Sequence, residues 1–335
     1  MTNSADEDPF DRLPDDVVLS IFDRLQDARS LCLSMAVCTR FRAIAPLVFH
    51  IFLPVPSRKP APPRQPHRRT ASLRCLIAGA LTRPLQFISR MIRPVSRDAV
   101  EKIGDLEYYS RRLPGLILPH FHQIRVLRLR LPCNGCHKLE PEPSKSGGHE
   151  ALLKWTADFG REIRGCVVLG ARRWSPVGGG LSGLSDTEGR SLGDDELKLR
   201  IVWTISCLIA ASTRHYLVQE TVRGLERVEH VEITDESGQG RLWMGGDGVS
   251  ELKGAVALEH RGRLPALRMR MWFLERAEAA GMMMEGGTLV VVRPAAAGGS
   301  DVDMVAAFSG DEAVEEAARK LMGSKRCYTL EMNSF

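Results

Sequence analysis

From Pro54 onward the chain holds Pro56, Pro60, Pro62, Pro63 and Pro66, and residues 55–97 carry ten Lys/Arg and no acid. Repeated proline removes backbone donors and favours extended conformations, so neither a helix nor a central strand runs through this stretch. The segment divides the 335 residues into a short N-terminal piece and a long C-terminal one. That division agrees with the roughly two domains that such a length suggests. The net charge of +5 is local: residues 1–54 balance to −3 and residues 55–97 to +10, leaving about −2 for the rest. A basic run of this kind serves as a solvated linker, a nuclear import signal or a nucleic-acid contact. No aromatic residues are interleaved with its proline-rich basic start for bases to stack on, so a linker is expected and nucleic acid is not an expected partner.

Composition narrows the class further. With 44% hydrophobic and 26% charged residues, wholesale disorder is excluded. Eight cysteines are too sparse for a disulfide scaffold. The acidic start (Asp6, Glu7, Asp8) has no basic region followed by an apolar one, so a reducing compartment, nucleus or cytoplasm, is expected. The longest strongly apolar stretch, Ile201 to Ala211, falls short of the roughly 20 residues of a membrane span, and no membrane partner is expected.

The N-terminal piece reads as three short helices. Pro14 with Asp15 and Asp16 suits a helix start, where a missing N–H costs nothing and carboxylates meet the positive end of the dipole. Val17, Val18, Ile21, Phe22 and Leu25 then recur on one helical face. Asp27 suits the N-cap of a second helix carrying Leu31 and Met35. Phe41, Ile44 and Ala45 form a third, which Pro46 stops. Three helices this short leave apolar surface open, which suits a groove in a partner.

Leu13-Pro14, the Val17/Val18 and Ile21/Phe22 pairs, Leu25, Asp27 and Val37-Cys38-Thr39-Arg40-Phe41-Arg42 resemble an F-box over residues 10–54. Phe41 stands where the family often has Trp, and Ala28-Arg29 replace a usual leucine pair. The resemblance implies docking to a Skp1-type adaptor, and through it to cullin and RING subunits. It carries over Leu13, Pro14, Val17, Val18, Ile21, Phe22, Leu25, Leu31, Val37, Cys38 and Phe41 as the apolar plug. Cys38 is expected as a small buried hydrophobe rather than a nucleophile.

Resemblance also extends along the chain to plant F-box proteins of the auxin-upregulated type. It is carried by Cys38–Val48, by His50–Pro54, by Leu197–Ile205, by Ser212–Tyr216 and by the ending Tyr328–Phe335. Independently, alternation of Leu127, Leu129 and Leu131 with arginines predicts a strand, as does that of Leu267, Met269, Met271 and Phe273. Thr288 to Val292 is a β-branched run, and Tyr328, Leu330 and Met332 alternate with polar residues. Leu152, Trp155 and Phe159 have helical spacing, as do Ile201, Val202, Ile205, Leu208, Ile209 and Ser212. Leu225, Val228, Val231 and Ile233 resemble a leucine-rich-repeat strand, without a steady period behind them. The expected fold is α+β: a three-helix F-box, the basic linker at 55–97 with a short amphipathic helix, and an α/β domain over 98–335 resembling a degenerate leucine-rich-repeat layer. Floppy insertions are expected near 138–150 and 175–196.

Candidate chemistry is sparse. Cys133-Asn134-Gly135-Cys136-His137 has the form of a haem attachment site. No export signal accompanies it, and His120, His122 and His149 fit no standard zinc spacing, so a turn is expected, with a metal-using enzyme as the rival. Gly178 to Gly183 satisfies G-x-G-x-x-G but follows Trp174-Ser175-Pro176 and leads into more Gly and Ser, which suits a loop. Arg69 before Ser72 is a weak kinase context, and Leu73, Leu76, Ile77, Ala80 and Leu81 form the linker's short apolar helical face. No cofactor and no catalytic residue are expected. The resemblance therefore implies a non-catalytic substrate-recognition subunit of an SCF-type ubiquitin ligase, with an unknown protein substrate and a place in plant hormone response. The alternative is an F-box scaffold acting outside a cullin complex.

Overall fold

The computed structural model describes residues 10, 12–55, 114–132, 150–177, 193–254, 266–298, 300–305, 308 and 311–332. Most of the basic segment, its amphipathic helix, Ser72, Cys133–His137 and Gly178–Gly183 lie outside these residues. Three helices open the fold: α1 (Asp15–Leu25), α2 (Ala28–Met35) and α3 (Thr39–Ile44). Strands β1 (His50–Pro54), β2 (Val126–Leu131), β3 (Glu150–Phe159) and β4 (Ile163–Pro176) follow. Helix α4 (Asp194–Gly224) leads to β5 (His230–Asp235), β6 (Gly240–Met244) and α5 (Gly246–Gly254). Then come β7 (Leu267–Ala279), β8 (Met282–Pro294), α6 (Asp301–Val305), α7 (Glu312–Met322) and β9 (Cys327–Met332). The α+β architecture is as expected.

All nine strands join one mixed sheet in the order β1-β2-β5-β6-β3-β4-β8-β7-β9. β1, β2 and β5 are parallel, and β3 pairs in parallel with β6; the other pairings are antiparallel. The repeat-like character is thus confined to the three parallel strands at one edge. Register aligns Ile51, Leu127, Val231 and Met244 in one row, and Leu53, Leu129, Ile233 and Leu242 in the next. All eight are buried in the cluster that also takes Val18, Phe22 and Leu31 from the N-terminal helices. A second apolar cluster lies under α6 and α7 and includes Leu169, Trp272, Leu289, Val291, Ala317 and Leu321.

Several expectations are corrected here. Leu152, Trp155 and Phe159 sit on strand β3, not a helix. Leu152 packs into one cluster while Trp155 and Phe159 join the other, so a strand covered on both faces lost its period of two. For the same reason Thr288–Val292 is only the middle of the 13-residue β8. Trp272, which alternates with Met271 and Phe273 and would on that pattern face outward, is buried beneath α7. Leu225 and Val228 precede their strand, which starts at His230. Ser175-Pro176 close β4 and Asp194–Glu196 open α4, so the second insertion is shorter than expected. The apolar stretch at 201–211 belongs to a 31-residue helix that is, by length and composition, long and apolar enough to cross a membrane. In this fold its inward face, with Trp203, Cys207, Ala211 and Val218, is buried in the core, and the helix packs on β3, β4 and β6.

Polar bolts hold α4 to the sheet. Arg214 donates to Asp235 at 2.6 Å and lies 4.5 Å over the Trp155 ring. Burial works against the Asp235 carboxylate, yet the Arg214 charge and bonds donated by Ser237 and Gln239 hold it below the usual carboxylate range. Gly240 is required beneath this stack, since a Cβ there would stand 2.3 Å from the Trp155 ring. His215, also buried, stacks on Phe159 at 4.5 Å and its Nε2 donates to the Gly160 carbonyl at 2.9 Å, while its Nδ1 accepts from Gln219 at 3.2 Å.

Burial pushes the His215 imidazole down to about 4, from an ordinary 6.5. The unfolded chain therefore takes up a proton near pH 6.5 that the folded chain refuses until about pH 4. Its contribution to stability is complete above 6.5 and drains away as the pH falls through that window, by at most about 3 kcal/mol. Urea unfolding at neutral and at acid pH should show this loss, and His215→Gln should flatten it. An equal pH slope in the variant would refute the assignment.

Candidate docking face

Helix α1 has two apolar faces with different fates. Val18 and Phe22 turn inward and are buried. Val17, Ile21 and Leu25, one turn apart, remain 42%, 40% and 45% exposed. Apolar side chains four apart on a solvent-facing helix form a stripe, and a stripe without an internal partner marks a docking surface. Leu33 and Val37 extend the exposed apolar surface at 62% and 71%, as does Leu47. Of the large hydrophobic side chains exposed among the described residues, most lie between residues 10 and 47.

Local chemistry fixes this face. Pro14 is the N-cap of α1 rather than its first turn, and its carbonyl accepts from Val17 and Val18. Arg40 on α3 donates to Asp15 at 2.8 Å and to the carbonyls of Phe10 and Leu13, which clamps the start of α1. Phe41 meets Phe10 and Phe22 edge to face, with centroids 5.7 and 5.2 Å apart. Asp27 caps α2, accepting from the Ser30 amide at 2.8 Å. The helices are also tied to the sheet. Asp23 accepts from the amides of Phe49 and His50 and sits 2.7 Å from His50 Nδ1. Gln26, left-handed at φ 56°, turns the chain so that its carbonyl accepts from the Phe52 amide at 2.8 Å.

The expected plug residues therefore divide. Val17, Ile21, Leu25, Val37 and Pro14 are exposed, Leu13 and Phe41 are half-buried, and Val18, Phe22 and Leu31 are buried within the chain itself. The last three hold the helices together from within the core. Cys38 is exposed, not buried: its Sγ accepts from the Phe41 amide at 3.4 Å and caps α3. Leu33 and Leu47 went unnoticed in the sequence, because Leu33 stands off the Leu31/Met35 stripe and Leu47 follows the helix-stopping proline. Among the described residues, no three His, Cys, Asp or Glu side chains are placed to hold a metal.

Comparison with known proteins shows the family. Residues 10–54 match the F-box-like family. Over 98% of its length the chain is 30% identical to F-box protein At5g46170 of Arabidopsis thaliana, covering 94% of that protein. The chain is an F-box protein. F-box protein AUF2 of the same plant is 31% identical, with 98% of this chain and all of that one covered, and F-box protein AUF1 is 29% identical over the same shares. No solved structure matches it. The F-box protein thus bears out the resemblance to the auxin-upregulated type, and its F-box implies a Skp1-type adaptor as partner. In this F-box protein the matched segment includes β1, so the edge strand of the sheet belongs to the F-box itself.

Proposed function

We propose that this F-box protein is the substrate-recognition subunit of an SCF-type ubiquitin ligase. The observation that carries the reading is the solvent-facing stripe of Val17, Ile21 and Leu25 on an F-box helix whose opposite face is already buried. Such a stripe fits a groove between adaptor helices, with charged residues left at the rim. The sheet domain then holds a protein substrate. The subunit itself is non-catalytic: it raises the effective concentration of substrate lysines near a charged conjugating enzyme bound elsewhere in the complex. Its compartment is the nucleus or cytoplasm, and a place in hormone response rests on resemblance to the auxin-upregulated proteins alone.

The test is affinity purification of the full-length chain from plant cells with the proteasome blocked. Adaptor and cullin together in the eluate are the expected result. Adaptor without cullin favours the second reading, a scaffold outside a cullin complex. Neither partner overturns both.

A further inference from the structure

Among the described residues, the helices leave one part of the sheet bare on the face opposite α4. Along β1, β2, β5 and β6 the inward rows are buried, while the alternate residues point away from α1–α4. Pairing sets Phe52, Arg128, Glu232 and Trp243 in one row across four strands. Pro54, Arg130, Thr234 and Arg241 form the next. Among the described residues no helix lies over these rows, and α7 approaches only at their border. There Lys154, Thr156, Thr234 and Arg241 line a groove of about 400 Å³ against Phe308 and Val314.

Charge in these two rows is one-sided: three arginines stand against one glutamate, while Lys154 and Asp311 at the border pair with each other. Glu232 is shared by Arg128 at 3.3 Å and Arg241 at 2.7 Å, so neither arginine has a carboxylate to itself. Arg130 is exposed, lies 4.8 Å over the Phe52 ring and meets no carboxylate among the described residues. Arg241 lies 5.6 Å over Trp243, on which His230 also stacks at 5.4 Å. Arginine and tryptophan are the residues that dominate binding energy at protein interfaces, and arginines stacked on rings lose less freedom when they grip a carboxylate. An excess of arginine selects a partner of opposite charge.

We propose that this bare face binds an acidic segment of the protein substrate. The proposal rests on the receptor reading above and supplies its substrate class. Substrate carboxylates meet Arg128, Arg130 and Arg241, and the Phe52 and Trp243 rings hold the latter two in place. Single-stranded nucleic acid fits this face less well. The rings that bases would stack on are already covered by Arg130, Arg241 and His230.

The experiment titrates the full-length chain against three labelled probes: a peptide alternating glutamate with leucine, its lysine–leucine counterpart, and a single-stranded RNA. The expected result is binding of the glutamate peptide alone, weakened by added salt. Arg130→Glu should weaken it about tenfold or more and Arg130→Gln less, both with adaptor capture intact as the measure of a folded chain. Arg130 forms no ion pair among the described residues, so its replacement leaves Glu232 and its partners in place. Failure of the glutamate peptide to bind overturns the proposal. So does unchanged affinity in both Arg130 variants, or tighter binding of the RNA or the lysine peptide. Peptide binding by a chain that captures no adaptor overturns the receptor reading and leaves this face standing.

Discussion

Val17→Asp combined with Ile21→Asp abolishes adaptor capture and leaves the melting temperature almost unchanged. Both side chains stand about two-fifths exposed on the outer stripe of α1, so the free chain buries little of them. Substitutions at such surface positions shift stability by about 0.5 kcal/mol or less. In the complex the two carboxylates would be forced into an apolar groove without partners, where each unpaired charge costs several kcal/mol. A loss of about 3 kcal/mol already means roughly a hundredfold weaker binding. The measurement pairs adaptor pull-down with thermal melting of the same protein. Undiminished capture would remove α1 from the docking surface.

Phe22→Ala does the opposite: it unsettles the fold first. Phe22 is buried in the apolar cluster and packs edge to face on Phe41, 5.2 Å away. Truncating a buried phenylalanine costs about 3–5 kcal/mol, because the cavity relaxes only in part. The damage should not stay within the helices. Asp23, one residue on, accepts two amides at the entry to β1, and β1 is in parallel register with β2. Hydrogen exchange should therefore rise across His50–Pro54 and Val126–Leu131 as well as in α1. Exchange that rises in the helices alone would mean that helices and sheet unfold separately. The same continuity bears on a fragment ending at residue 54, which would carry β1 without the strand that completes its pairing.

Strand ends and helix starts were legible where local chemistry decides them. The Asp27 cap and the alternation in β2 and β9 appear at their expected residues, whereas α3 ends at Ile44 and a tighter turn carries the chain through Pro46 to Leu47. Burial was less legible. Tyr328 and Leu330 do face one way, opposite Met271 and Met269, yet both are only half-buried because β9 is an outer strand. Deleting that ending therefore costs less than full burial of its side chains would imply. The eleven expected plug residues show the same limit. Val17 and Val18 are identical neighbours in the sequence, and helical periodicity puts both in one apolar band. Only the packing of α2, α3 and β1 against α1 makes Val18 a core residue and leaves Val17 exposed.

By itself, the sequence determined the short-range features: the three F-box helices and their caps, the family to which they belong, and the alternating strands with one covered side. These depend on residues within a few positions of each other, where capping, proline geometry and side-chain period act directly. Tertiary structure alone decided which strands became neighbours, and with that the status of single residues. Pairing of β3 with β4 and β6 turned a helix-like spacing into a strand buried on both faces. Pairing of β1 with β2 joined the F-box to the sheet. Alignment of four strands gathered Arg128, Arg130 and Arg241 on one face, although up to 113 residues separate them. Such contacts join residues far apart in the chain, and hydrogen-bonding and burial across the whole sheet select them, not any pattern within a short window.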